Sequence, residues 1–175
     1  MNQVHFFLII LSIIVSSCDK TDYDFSKGKA TALRNGEYWI GQGRGSVNNM
    51  GIGVDFGYEV FSKEGILRQG LDFNKIPLNK GIYAVKNTDW QSKDTIPGCQ
   101  FTTISHDGDV VEDIYLVHES DDESNVTVIN YDETSRRLKG EFRLKLYIDP
   151  KSPKTNPNNP DTIVFTKGQF EVLIE

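Results

Sequence analysis

The segment "LKGEFRLKLYI", from Leu138 to Ile148, alternates apolar and polar side chains along its length. Successive side chains of a β-strand point to opposite faces, so this pattern predicts a strand with one buried and one solvated face. The closing stretch repeats the pattern around Phe170 and Val172. We therefore expect the core to include Leu138, Phe142, Leu144, Leu146, Phe170 and Val172.

Turn residues divide the rest of the chain into further strands. Asn35-Gly36 separates "KATALR" from "EYWIGQ", and Asn-Gly is the strongest short hairpin signal. Residues 62–65 and the pair Asp107-Gly108 separate other apolar runs in the same way. These patterns predict an all-β domain, an antiparallel β-sandwich or flattened barrel of about nine to eleven strands.

The glycines of "GQGRGS", from Gly41 to Ser46, only partly match a dinucleotide-binding fingerprint. The third glycine of that fingerprint is replaced by Ser46, and no helical pattern follows to supply a helix N-terminus for a pyrophosphate. We expect these glycines to form strand-edge bulges and turns. No cofactor is predicted.

The N-terminus carries an apolar run from Val4 to Val15, interrupted only by His5 and Ser12. A membrane-spanning helix needs roughly 20 apolar residues, so this shorter run is typical of a signal peptide. It ends in Val15-Ser16-Ser17-Cys18, which resembles the lipobox of bacterial lipoproteins, although the segment before the run has no Lys or Arg. The resemblance implies that Cys18 is acylated and becomes the first residue of the mature protein; an ordinary secretory signal is the alternative.

The predicted domain organisation follows from this N-terminus. We assign residues 1–17 to the lipoprotein signal peptide, residues 18–27 to the acylated cysteine and a polar tether, and residues 28–175 to a single β domain. Asp19, Asp22 and Asp24 follow Cys18 and resemble the acidic export signals of Bacteroidota surface lipoproteins; a solvated linker is the alternative. The expected location is the outer membrane, anchored by lipid and facing the cell surface, with the periplasmic face as the alternative.

Three segments resemble landmarks of small Bacteroidota lipoproteins that are classed as domains of unknown function. They are "LRNGEYWIG", "YDETSRRLKGEFRLKLY" and "TIVFTKGQFEVLI". That group has an NG-x-x-W strand near the N-terminus, a later D…L-x-G-x-F segment and a closing G-x-F-x-V strand. These landmarks are structural, so the resemblance implies an all-β envelope domain and supplies no catalytic residues.

Charge and chemistry narrow the possible activities. The net charge of −6 argues against binding to nucleic acid. Acylation of Cys18 would leave Cys99 without a disulfide partner, and we expect Cys99 to be a small buried apolar residue.

Neither zinc-hydrolase motifs nor a G-x-S-x-G nucleophile motif occurs, and the acidic runs lack the calcium-loop pattern. We predict no metal site and no catalytic residues, so the domain is expected to be a non-catalytic binding or structural module. An envelope hydrolase acting on glycans is the alternative.

Trp90 is the candidate ligand-binding residue. It lies in "KNTDWQSKD" between polar residues, whereas Trp39 lies beside Ile40 in an apolar strand. A tryptophan in a loop offers a flat apolar surface that can stack on a sugar ring or anchor a protein partner. We expect Trp90 to belong to any glycan or protein site; the alternative is that it covers a sheet edge.

The tripeptide Asp-Thr-Ile occurs twice, ending at Ile96 and Ile163. It resembles the O-glycosylation sequon of exported Bacteroidota proteins. The resemblance implies that at least one of Thr95 and Thr162 is modified; the alternative is that Asp-Thr marks the entry to a strand.

Overall fold

The computed structural model describes residues 23–118 and 123–175, which form ten antiparallel β-strands. The proposed acylation site Cys18 lies outside these residues. The strands are β1 (Gly28–Arg34), β2 (Glu37–Val47), β3 (Val54–Phe61), β4 (Leu67–Ile76), β5 (Gly81–Ala84), β6 (Gly98–Ile104), β7 (Val111–Val117), β8 (Asn125–Asp132), β9 (Arg137–Ile148) and β10 (Thr162–Leu173). The predicted all-β class and strand number are confirmed. No helix that could cross a membrane is found among the described residues.

The sheet closes on itself because β10 pairs with β1 along one edge and with β9 along the other. The ring runs β10-β1-β2-β3-β4-β6-β7-β9 and returns to β10. The second edge of β9 is shared: residues 137–143 pair with β8, and residues 146–148 pair with β7. Strands β8 and β5 therefore branch from the ring, and the whole sheet forms a flattened barrel.

The interior is filled by the alternating residues that the sequence predicts. Every predicted core side chain is at most 5% exposed, namely Leu138, Phe142, Leu144, Leu146, Phe170 and Val172. Phe165 lies in an aromatic cluster, with ring centroids 5.3 Å from Trp39, 5.5 Å from Phe101 and 6.0 Å from Phe142. Cys99 is also buried, as predicted, and burial raises the pKa of its thiol well above the usual value.

The predicted hairpins are present. Asn35 and Gly36 connect β1 to β2 with φ angles of 50° and 88°, as a tight turn with two left-handed residues requires. The expectation for the "GQGRGS" glycines was wrong, because they lie within β2 in unbroken register with β3 from Gln42 onward. A Cβ at Gly43 would lie 2.8 Å from Cε1 of Tyr58, so this glycine makes room for that buried ring.

A proline-rich connection between β9 and β10 is held by one buried carboxylate. Asp113 is 2% exposed and accepts hydrogen bonds from the Thr155 backbone N–H (2.7 Å) and the Asn159 side-chain amide (2.6 Å). The Asp113 carboxylate accepts hydrogen bonds from loop N–H groups that have no partner in a β-ladder. Asp113 thus fastens this loop to the barrel.

Candidate functional site

A polar row crosses the outer face of four neighbouring strands. In the ladder register, Arg44 of β2 faces Gly57 of β3, Gly57 faces Asp72 of β4, and Asp72 faces Gln100 of β6. A Cβ at Gly57 would collide with the Asp72 carboxylate. The glycine therefore lets Arg44 reach across β3 to Asp72.

Arg44 joins two carboxylates. Its Nη2 donates to Asp72 Oδ1 at 3.2 Å, and its Nε donates to Glu59 Oε1 at 3.0 Å. The arginine side chain is 61% exposed, while the Glu59 and Asp72 side chains are 26% and 21% exposed. The two carboxylates are therefore largely shielded from solvent, whereas the Arg44 side chain faces solvent.

Burial raises the pKa of Asp72 to about 6, against the opposing effect of the nearby Arg44 cation. The Glu59 carboxylate adds a smaller contribution in the same direction as burial. Asp72 therefore changes charge close to neutral pH, unlike an ordinary surface aspartate. Such a shift is expected when burial disfavours the ionised carboxylate more than the nearby Arg44 cation favours it.

We expect Asp72→Asn to stabilise the protein above neutral pH. The folded-state pKa of Asp72 is raised from 3.8 to about 6, so the native state holds an extra proton between these values and stability falls as pH rises through them. With a discount for partial solvation, the difference between the variant and the parent should reach on the order of 1–2 kcal/mol above about pH 7 and vanish below about pH 4. Urea unfolding of both proteins across this range measures it; a pH-independent difference contradicts the burial argument.

A loop over residues 85–97 borders this row and is fixed by a buried lysine. Lys75 lies at a β-bulge in β4 with a φ of 58°, and its ammonium group is fully buried. The ammonium donates to the Asp89 carbonyl and to Asp94 Oδ1, both at 3.0 Å. Hydrogen bonds from Ser92 and then Lys75 lower the pKa of Asp94 to about 2. The loop is therefore attached to the barrel by a charged contact that persists at neutral pH.

Trp90 is carried by this loop and lies at the edge of the row. It lines a cavity of about 310 Å³ together with Arg44, Ser46, Asp72 and Gln100. The Trp90 side chain is 36% exposed, whereas Trp39 is 4% exposed and donates from its indole Nε1 to Gln69 Oε1 at 2.9 Å. We call the cavity bordered by Trp90 and the Arg44–Asp72–Gln100 row the Trp90 groove.

The two predicted glycosylation sites, Thr95 and Thr162, do not line this groove. Thr95 is exposed on the loop over residues 85–97, while Thr162 is half-buried at the start of β10 and pairs with Tyr147. O-glycosylation of Thr95 and Thr162 stays a prediction. Within the described part of the chain, no group of three or more His, Cys, Asp or Glu side chains could hold a metal ion.

The Trp90 groove combines an indole face with charged and amide hydrogen-bonding groups. The sequence identified Trp90 as a candidate but did not identify Arg44, Asp72 and Gln100, because these come from three strands whose register is set only by the folded sheet.

Searches with the chain match no family model, no curated protein and no solved structure.

Proposed function

We propose that this chain is a cell-envelope lipoprotein whose β domain is a non-catalytic module that binds a saccharide in the Trp90 groove. The observation that carries the proposal is that Trp90 borders the same cavity as Arg44, Asp72 and Gln100. A sugar ring has an apolar C–H face and a rim of hydroxyl groups. The indole suits the face, and the arginine, carboxylate and amide suit the rim.

A glycan array probed with the full chain in detergent tests this proposal. We expect binding to a restricted set of saccharides, lost in Trp90→Ala and in Gln100→Ala and retained in Tyr38→Ala. Tyr38 is a matched control because it is an aromatic residue on β2, 69% exposed and not part of the groove lining. No binding, or binding that Trp90→Ala leaves intact, contradicts the proposal. A parallel array of envelope proteins serves as the comparison, and a hit confined to it assigns the groove to a protein partner instead.

The alternative, a glycan hydrolase, has one observation in its favour. Asp72 has a pKa of about 6, as a general acid requires, and a second carboxylate, Glu59, is close by. Glycosidases, however, place two carboxyl groups on either side of the scissile bond. Asp72 and Glu59 instead accept from the same guanidinium, and of these two carboxylates it is Asp72 that lines the groove. Release of reducing sugar from an array hit, abolished by Asp72→Asn, supports the hydrolase.

We further propose that the mature protein begins at an acylated Cys18 and is anchored to the outer membrane, facing the cell surface. The apolar run and the Val15-Ser16-Ser17-Cys18 sequence support this proposal, and two or more acyl chains give stable anchoring. The resemblance to small Bacteroidota lipoproteins supports the same location. Protease treatment of intact cells distinguishes the surface from the periplasmic face.

Cells fed a palmitate analogue are expected to label the parent protein and not Cys18→Ala. The thiol of Cys18 is the proposed acyl acceptor, so its removal eliminates the label. Cys99→Ala is the matched control, because Cys99 is buried and should leave labelling unchanged. Equal labelling of Cys18→Ala and the parent contradicts the anchor.

A further inference from the structure

One end of the barrel holds a second cavity, separate from the Trp90 groove. It has a volume of about 510 Å³, and its lining comes from the end of β1, the starts of β2, β4 and β7, the end of β6 and the loop before β10. In an antiparallel ring these positions all meet at the same end. We call this cavity the barrel mouth; its polar lining includes Arg34, Glu37, Arg68, Gln69 and Glu112.

Arg34 is the central cation of the barrel mouth. It follows Ala30 and Ala32 on the inward-facing side of β1, and its guanidinium carbon lies 5.9 Å from the centre of the Phe101 ring. Among the described residues its side chain makes no hydrogen bond and has no carboxylate within 4.0 Å. Partial burial lowers its pKa from the usual value, with an opposing effect from Glu37. A half-buried guanidinium without a protein partner keeps its donors available to a ligand that enters the cavity.

Further donors surround Arg34. Gln69 accepts from Trp39 through Oε1, which leaves its amide N–H groups without a partner among the described residues. Arg68 uses Nη1 to bind the Ser105 carbonyl at 2.8 Å. Tyr115 donates its hydroxyl proton to the Pro160 carbonyl at 2.8 Å.

The charge balance of the lining favours a ligand with one negative charge over a ligand with two. Two arginines line the barrel mouth together with Glu37 and Glu112, and Glu112 already accepts from Asn156 at 3.1 Å. The cavity can therefore accept a monoanion at Arg34, whereas a dianion would be repelled by the two glutamates. Ile104 and Ile163 in the lining provide apolar contact for the rest of such a ligand.

We propose that the barrel mouth binds a small organic monocarboxylate, with its carboxylate paired to Arg34 and its apolar body against Ile104 and Ile163. The bidentate fork of arginine matches a carboxylate geometrically. This site is independent of the Trp90 groove, and either can fail without the other.

Titration of the full chain with benzoate tests this site. The chain has two tryptophans, so Trp90→Phe leaves Trp39, hydrogen-bonded to Gln69 of the barrel mouth, as the reporter of binding. We expect saturable binding that Arg34→Gln weakens at least tenfold and Arg44→Gln leaves unchanged. Arg68→Gln is the second variant in case Arg34→Gln fails to fold, and it should also weaken binding.

Two further ligands distinguish the contribution of the carboxylate to benzoate binding from the contribution of apolar contact. Benzyl alcohol has the same ring without the carboxylate and should not compete with benzoate. Inorganic phosphate should bind more weakly than benzoate at neutral pH. The proposal is overturned if benzoate shows no saturable binding, if benzyl alcohol competes equally, if phosphate binds more tightly, or if both arginine variants bind benzoate like the parent.

Discussion

Replacing Phe165 with alanine is expected to lower the free energy of unfolding by about 3–5 kcal/mol. Phe165 is fully buried on β10, the strand that closes the barrel, and its ring contacts the rings of Trp39, Phe101 and Phe142. Its removal leaves a cavity between strands from opposite sides of the ring. Leu144, its ladder partner on β9, is also fully buried, and Leu144→Ala should cost about 2–5 kcal/mol.

Urea unfolding of the parent and of these variants measures both effects. Tyr38→Ala is the control, because a largely exposed side chain should change stability by less than about 0.5 kcal/mol. Similar unfolding midpoints for Phe165→Ala and Tyr38→Ala would show that β10 does not close the barrel in this way.

Replacing Trp90 with alanine is expected to weaken saccharide binding about thirtyfold or more while leaving the melting temperature nearly unchanged. An aromatic anchor at an interface typically contributes 2 kcal/mol or more, which corresponds to that factor in affinity. Trp90 contributes little to the fold, because it is 36% exposed and its loop is attached through Lys75 and Asp94.

Trp39→Ala should show the opposite behaviour. Trp39 is 4% exposed, packs against Phe165 and binds Gln69, so its loss should lower the melting temperature. Isothermal titration with an array hit and thermal melts of both variants give the comparison. A Trp90→Ala protein that melts far below the parent and binds the saccharide normally contradicts the role assigned to Trp90.

Local patterns in the sequence were sufficient for the architecture. Alternation in β9 and the Asn35-Gly36 turn depend on side chains that are neighbours in the chain, and both were found where expected. Closure of the ring was not predictable, because it depends on pairing of β10 with β1, more than a hundred residues apart. The same limit explains the inward-facing glycines of β2, whose role depends on Tyr58 of the adjacent strand.

The candidate site was predictable only in part. Trp90 was identified because its polar neighbours are visible in the sequence, and the structure places it beside a cavity. Arg44 and Asp72 meet only because Gly57 has no side chain between them. Lys75 reads as an ordinary surface lysine in the sequence, yet a bulge turns it into a buried anchor for the loop that carries Trp90.

The most direct test of the Trp90 groove is the fluorescence of Trp39→Phe, in which Trp90 is the remaining tryptophan. Acrylamide should quench Trp90 readily in the free protein, since its side chain is 36% exposed. Addition of the saccharide identified by the array should shift its emission to shorter wavelength and protect it from acrylamide. Unchanged emission and quenching at saturating saccharide, or a free-protein Trp90 as shielded as Trp39, would contradict the proposed site.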